Sequence, residues 1–327
     1  MPSRNKMNFQ TKIEELRGVI QQQLLPLMGK EVVLVDAPYY HNVGDVLIWQ
    51  GIVDFLKDNG IKLLSTSSCA TFTFPELKKD VTILLIGGGN FGDLYRWAQD
   101  MRLKVIEKYP DNRIVMFPQS VWYEDEKLIE DDSQKMSRHK DLHLCARDKN
   151  SFDFFKNYFS KVDVRLVPDM AFFIADERLE PYRKKLTAKT LFLRRIDKEL
   201  VSSTPEIKDN NIEVRDWPSL EKKPKKIDLI QGICWKVNRT KYLKRYQKII
   251  FKSIDRYVQA GVRKYFVKSG CQFLSAYQEI ITTRLHAMIL GILLHKPVRI
   301  IDNSTGKLTA FASSWLTGLD EVKEYTE

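Results

Sequence analysis

The run Glu31-Val-Val-Leu-Val-Asp36 restricts the fold more than any other stretch of the chain. Its apolar residues are consecutive rather than alternating with polar ones. A strand of this kind hides both faces, as parallel strands do when helices cover them on either side. Similar runs recur at 81–86, 113–117, 142–146 and 164–167, with a shorter one near 61–64. Helical patterns fall between most of them. Ile13, Leu16, Ile20 and Leu24 mark a first helix over 11–25, opened by capping-box spacing at Thr11-Lys-Ile-Glu14, and Val46–Leu56 marks another. Alternating strands and helices predict a doubly wound α/β domain.

At 327 residues the chain has room for two domains. The charge-rich crossing 175–190 reads as their joint, and Thr190-Leu-Phe-Leu193 restarts the strand pattern beyond it. Composition, at 43% hydrophobic and 29% charged, suits a soluble protein with sizeable cores. No run of about 18 apolar residues suggests a membrane span, and the polar N-terminus lacks the apolar core of a signal peptide. Cys69, Cys145, Cys234 and Cys271 are scattered without metal-ligand spacing and read as reduced cysteines, so a cytoplasmic location is expected.

In open α/β sheets, ligands bind beyond the carboxyl ends of the strands, so the loops there are the places to search. The first, 37–45, offers Tyr40, His41, Asn42 and Asp45; Asn42 and Asp45 are equally suited to holding the turn and capping the next helix. The second is Gly87-Gly-Gly-Asn-Phe-Gly-Asp93, which formally matches G-x-G-x-x-G. It does not open the first strand–helix unit, and the following strand ends in Pro118-Gln-Ser120 with no carboxylate for a ribose. A nucleotide cofactor is therefore not expected, although the glycines mark a place where backbone and ligand can approach closely. Arg147 closes a later strand, either as an anion anchor or as a partner of Asp148. Arg195, Asp197 and Glu199 form a polar cluster that either lines a cleft or satisfies itself. Asp302, Asn303 and Ser304, with Lys307, follow the last apolar strand. At the centre stands Thr282-Thr-Arg-Leu-His286, where a strand delivers Arg284 and His286 to the mouth of an apolar helix. A helix N-terminus, a guanidinium fork and a titratable ring together make an anion site.

The formal charge of +11 favours an anionic partner. No zinc-finger spacing or RNA-binding signature is present, so nucleic acid is not expected. Residues 236–252 carry Lys236, Arg239, Lys241, Lys244, Arg245, Lys248 and Lys252 beside Tyr242, Tyr246, Ile249 and Ile250. They predict a basic surface helix of about five turns, suited to peripheral contact with an anionic membrane face.

Taken in order, Asn42-Val-Gly-Asp45, Gly87-Gly-Gly-Asn90, Ala146-Arg-Asp148 with Ser151, Arg195-Ile-Asp197-Lys-Glu199, Thr283-Arg-Leu-His286 and Asp302-Asn-Ser304 with Gly306-Lys307 resemble the polysaccharide pyruvyl transferases over about residues 30–316. The resemblance implies two Rossmann-like doubly wound domains facing a central cleft, GT-B-like. On that reading 1–180 is an acceptor-side domain, 185–305 is a donor-side domain, and 306–327 is a helix and tail packing back on the first. It implies transfer of the enolpyruvyl group of phosphoenolpyruvate to a sugar, forming a pyruvate ketal. Arg147, Arg284 and His286 would hold the donor, with Asn42 and Asp45 near the acceptor. Gly88, Gly89, Asn90, Arg195, Asp302, Asn303, Ser304 and Lys307 would complete the binding set. The acceptor would be a glycan or lipid-linked saccharide at the inner face of the membrane. Members often carry an Asp before the central Arg and a Gly after the His, where this chain has Thr283 and Ala287.

The residues suit that chemistry. Two arginines can each grip an oxyanion bidentately, His286 can protonate the enol methylene, and Asp45 can orient or deprotonate a sugar hydroxyl. The scheme calls for neither metal nor cofactor beyond phosphoenolpyruvate as donor substrate. Two other readings compete: a GT-B glycosyltransferase using a nucleotide sugar, and a non-enzymatic module binding a polyanion or a membrane surface.

Overall fold

The computed structural model describes residues 8–187, 189–197, 201, 204–207, 209–302 and 306–326. Two parallel sheets carry the fold. The first contains β1 (Glu31–Val35), β2 (Lys62–Ser67), β3 (Thr82–Leu85), β4 (Gly88–Gly92), β5 (Ile114–Trp122), β6 (Leu142–Ala146) and β7 (Asp163–Leu166). Their order is β2-β1-β3-β5-β6-β7, with β4 also on β5. The second contains β8 (Thr190–Leu193), β9 (Ile212–Arg215), β10 (Glu279–Thr282), β11 (Val298–Ile300) and β12 (Val322–Glu324), ordered β12-β11-β10-β8-β9.

Both sheets reverse direction in the same way. The chain steps from β1 to one side, then returns to place β3 on the other, and β8 does the same with β9 and β10. Each sheet thus opens a crevice beyond the carboxyl ends of its central strands. The consecutive apolar residues of β1 divide between two cores. Val32 and Leu34 join one, and Val33 and Val35 the other, so both faces are buried.

The glycine run does not turn into a helix. β3 pairs with the first half of β5, and after a kink at Ile86-Gly87 β4 pairs with its second half, Gly88 opposite Gln119 and Gly92 opposite Trp122. Gly92 has φ +110°, and a Cβ there would lie 1.9 Å from the Trp122 carbonyl oxygen.

One hydrophobic core runs through both halves. The helix Val43–Asp58 is buried along most of its length and meets the helices Arg263–Ser275 and Leu285–Leu293 of the second half. Close packing requires small residues here: a Cβ on Gly51 would stand 1.8 Å from the Met170 carbonyl oxygen. The helix Lys307–Trp315 leans on the first domain, where Trp315 Nε1 donates to the Arg147 carbonyl at 2.7 Å and Phe311 stacks on Phe172. The chain then returns to add β12 to the second sheet's edge.

Two helix readings change. The first helix is Phe9–Leu24, capped by Asn8, whose Oδ1 accepts from the Thr11 amide at 2.9 Å. The basic segment is not one helix but Lys225–Arg239, a 3-10 stretch Lys241–Tyr246, and Gln247–Tyr257. Thr240 is extended at the break (φ −95°, ψ 111°), and Asn238 ties the preceding turn to the Ala70 carbonyl of the first domain at 2.9 Å. Among the described residues no helix is long and apolar enough to cross a membrane.

Candidate functional site

The strand ends of the two sheets meet around a cleft of about 460 Å³. The first domain contributes Tyr40, Asn42 and Asp45 after β1, Gly89 and Asn90 from β4, and Arg147 after β6. From the second half come Arg195 after β8, Trp217 after β9, and Arg284 and His286 after β10; Lys307 enters from the last helix. Among the described residues, four permanent cations and one carboxylate, Asp45, therefore face the cleft.

Asn42 caps the helix Val43–Asp58, its Oδ1 accepting from the Gly44 amide at 2.9 Å. Its Nδ2 donates to Asp45 Oδ2 at 2.8 Å, and the Tyr40 hydroxyl donates to the same oxygen at 2.9 Å. Burial, then the Asp45 charge, push the Tyr40 phenol well above its ordinary range, so it stays a donor. Both bonds fall on Oδ2, which leaves Oδ1 as the oxygen a ligand can use.

Arg147 is almost wholly buried. Its Nε donates to Ser120 Oγ at 2.7 Å and its Nη1 to Asp169 Oδ2 at 3.1 Å. The same Oδ2 lies 3.2 Å from His286 Nε2, so one carboxylate joins a cation of the first domain to the imidazole of the second half. Burial works to raise the Asp169 pKa, but the His286 charge and hydrogen bond, with Arg147 and the Ala171 amide, outweigh it and hold the group at about 2. An ionised carboxylate can only accept, so Nε2 carries the hydrogen. The ring's other nitrogen rests on Gly44: a Cβ there would lie 2.6 Å from Nδ1.

Arg284 grips Asp216 through two bonds, Nε to Oδ1 at 2.5 Å and Nη2 to Oδ2 at 2.6 Å, and Nη2 also reaches Asp197 at 3.1 Å. Arg195 pairs with Asp197 too, Nε to Oδ1 at 2.7 Å, and its amide donates to Thr283 Oγ1 at 2.9 Å. Thr283 is therefore a buried backbone clasp. These carboxylates sit behind the arginines and fix their planes, as a rigid oxyanion site requires. Opposite them, Gly89 leaves space: a Cβ would come within 2.8 Å of Arg147 Nη2 and 3.1 Å of Lys307 Nζ.

The cleft thus gathers Asn42, Asp45, Gly89, Asn90, Arg147, Arg195, Arg284, His286 and Lys307. Two expected residues fall elsewhere. Gly88 does not line the cleft; it holds φ +142°, a conformation open to glycine, where the strand kinks. Asp302 instead accepts from the amides of Leu308 and Thr309 at 3.2 and 3.1 Å, capping the last helix. Asn303 and Ser304 lie outside the described residues, as does Glu199. Asn90 lines the cleft with its side-chain oxygen already taken by Arg102 Nη2 at 2.5 Å, and Arg102 also pairs with Asp36 at 3.0 Å. Asp169, Asp216 and Ser120, the groups that hold the arginines, belong to no sequence motif; Asp169 and Asp216 lie just beyond strand ends and Ser120 lies within β5. Among the described residues no cluster of His, Cys, Asp and Glu could hold a metal.

With this geometry in place, comparisons with known proteins converge. The model of the family described as polysaccharide pyruvyl transferase matches residues 42–305. The chain is 28% identical to EpsO of Bacillus subtilis, provisionally named a pyruvyl transferase, over 99% of this chain and 95% of that one. It is 28% identical to Pyruvyl transferase 1 of Schizosaccharomyces pombe, over 88% of this chain and 70% of that one. A crystal structure of a functionally uncharacterized protein from Klebsiella pneumoniae matches 95% of this chain and 99% of its own with a TM-score of 0.64; at 18% identity this likeness shows the fold alone.

Proposed function

This chain belongs to the polysaccharide pyruvyl transferase family, an enzyme moving the pyruvyl group of phosphoenolpyruvate to a saccharide, and we propose that residues from both sides of its cleft hold that donor. The observation that carries the reading is the shared Asp169 Oδ2, which sets Arg147 and His286 side by side at 3.1 and 3.2 Å.

Arg147, Arg284, Arg195 and Lys307 receive the phosphate and carboxylate, groups opposite in sign to the cations facing the cleft. Protonated His286, steadied by Asp169 and Gly44, delivers its Nε2 proton to the C3 methylene and is left as a neutral ring. A sugar hydroxyl attacks C2 and passes its proton to Asp45. The C2–O bond to phosphate then breaks, and a neighbouring hydroxyl closes the ring at C2. Of the two hydroxyl protons, one replaces that given to C3 and the other leaves with phosphate.

The common strand order of the two sheets supports a GT-B-like pairing of an acceptor-side domain ending near 180 and a donor-side domain from 185 to 305, with Lys307–Trp315 leaning back on the first. Work at the cytoplasmic face of a membrane, on a lipid-linked acceptor, is supported by exposed Trp235, Tyr242, Tyr246 and Ile249 among the exposed lysines of 236–252. The test is phosphate release from phosphoenolpyruvate against free and lipid-linked saccharides. Arg284→Ala is expected to lower kcat/KM by about 10²–10³-fold. Consumption of a nucleotide sugar with phosphoenolpyruvate untouched would overturn the reading.

A further inference from the structure

A second groove, of about 320 Å³, adjoins the cleft and shares Tyr40, Trp97 and Gln231 with it. It runs outward between the first domain and the helix Lys225–Arg239, past Ala70, Ile230 and Cys234, to Trp235 and Arg239. That volume lies at the lower end of the range of small-ligand pockets, about 300–1,000 Å³.

We propose that this groove is an extended acceptor subsite that binds the sugar ring next to the one being modified; the proposal rests on the function given above. Three observations point there. The first is continuity, since a saccharide whose hydroxyl sits at Asp45 can leave the cleft beside Tyr40 and Gln231. The second is aromatic surface. Trp97 and Trp235 are 54% and 60% exposed, and both line the groove. Arg239 already stacks over one face of the Trp235 ring at 4.8 Å, which orients that indole. Exposed indole faces with planar polar groups nearby suit the C–H faces and hydroxyls of a pyranose.

Charge is the third. The inner cleft presents Arg147, Arg195, Arg284 and Lys307, whereas the groove's lining includes one cation, Arg239. Its one carboxylate, Asp36, is bonded to Arg102 and Cys69. With a single arginine at its outer end, such a wall offers a second phosphate far less than the cleft offers the first, and it suits an uncharged ring. Gln231 and Asn238 are fixed for polar contact, their amide nitrogens donating to the Tyr39 and Ala70 carbonyls at 3.0 and 2.9 Å.

The test pairs binding with turnover. The probes are methyl β-glycosides of glucose, galactose, mannose and N-acetylglucosamine, and the β-1,4-linked disaccharides built on each, titrated calorimetrically. At least one disaccharide is expected to bind about tenfold tighter than its methyl glycoside, the advantage of a single stacked ring. Trp235→Ala abolishes the difference and Trp235→Phe restores most of it. Arg284→Ala leaves it intact, since the donor's grip is elsewhere. Turnover by the Trp235 variants follows the same pattern in acceptor KM, with KM for phosphoenolpyruvate unchanged in Trp235→Ala. No disaccharide advantage, an advantage that survives Trp235→Ala, or Trp235-dependent binding of farnesyl phosphate in place of saccharides overturns the subsite. Absence of phosphate release with every acceptor would count against the function instead, and the titration would still decide the subsite.

Discussion

Replacing Gly44 by alanine tests how the imidazole is held. The new Cβ would lie 2.6, 2.9 and 3.0 Å from Nδ1, Cγ and Cβ of His286, against 3.4–4 Å for ordinary contact. His286 Cβ is close to its own backbone, so a rotamer change cannot relieve all three contacts, and the ring must retreat by about 1 Å. Its Nε2 bond to Asp169 is already 3.2 Å long, and such a retreat breaks or redirects it. Misplacing a reacting group by about 1 Å costs on the order of 10²-fold in kcat. Stability changes less: overpacking costs about 1–3 kcal/mol, while alanine gains about 1 kcal/mol over glycine within a helix. The expected variant melts only a few degrees lower, at about 2–4 °C per kcal/mol, with kcat from phosphate release down about a hundredfold. KM for phosphoenolpyruvate should shift little, since Arg147 and Arg284 are untouched. Wild-type kcat in a normally folded Gly44→Ala protein would refute the placement of His286.

Other substitutions probe the supporting groups. Asp169 is held near 2 in the fold against an ordinary 3.8, so its contribution to stability is fully present above about pH 4 and is lost as pH falls through 2. Urea unfolding should show wild type losing about 1 kcal/mol relative to Asp169→Asn between pH 5 and pH 3; a constant gap would mean the carboxylate is not so held. Asp302→Ala should cost about 1 kcal/mol through its lost helix cap, with KM for phosphoenolpyruvate unchanged; a raised KM would return Asp302 to the donor site. Reversing exposed Lys241, Lys244 and Lys248 to glutamate should weaken co-sedimentation with phosphatidylglycerol vesicles by at least about 1 kcal/mol per lysine. Equal binding by the triple variant would remove that surface from consideration.

Most strands were legible because burial on both faces leaves an apolar run, as in Val32–Val35; the glycine strand β4 and the half-exposed edge strands β9 and β12 leave none. Arg147 was legible because it follows such a run directly, and Arg284 and His286 because they stand two and four residues past the end of one. Less could be read where one residue serves another. Asn42 is a cap that also steers Asp45, a double duty that its identity alone does not distinguish from substrate contact. Asp169 and Asp216 carry no such signal, because a lone acid beyond a strand has no spacing rule tying it to arginines dozens of residues away. The glycine run formally matches a dinucleotide fingerprint, which its place in the chain argues against, and its glycines serve a kinked strand crowded against Pro118 and Trp122. Thr240 breaks the basic helix with neither Gly nor Pro, because the anchor at Ala70 is tertiary.

Crystals grown with phosphoenolpyruvate test most directly whether both domains grip the donor. The expected density shows its anionic groups within hydrogen-bonding distance of both Arg147 and Arg284, with the methylene turned toward His286. Donor bound by one domain alone, or outside the cleft with the arginines still engaged by Ser120, Asp169, Asp197 and Asp216, would contradict it.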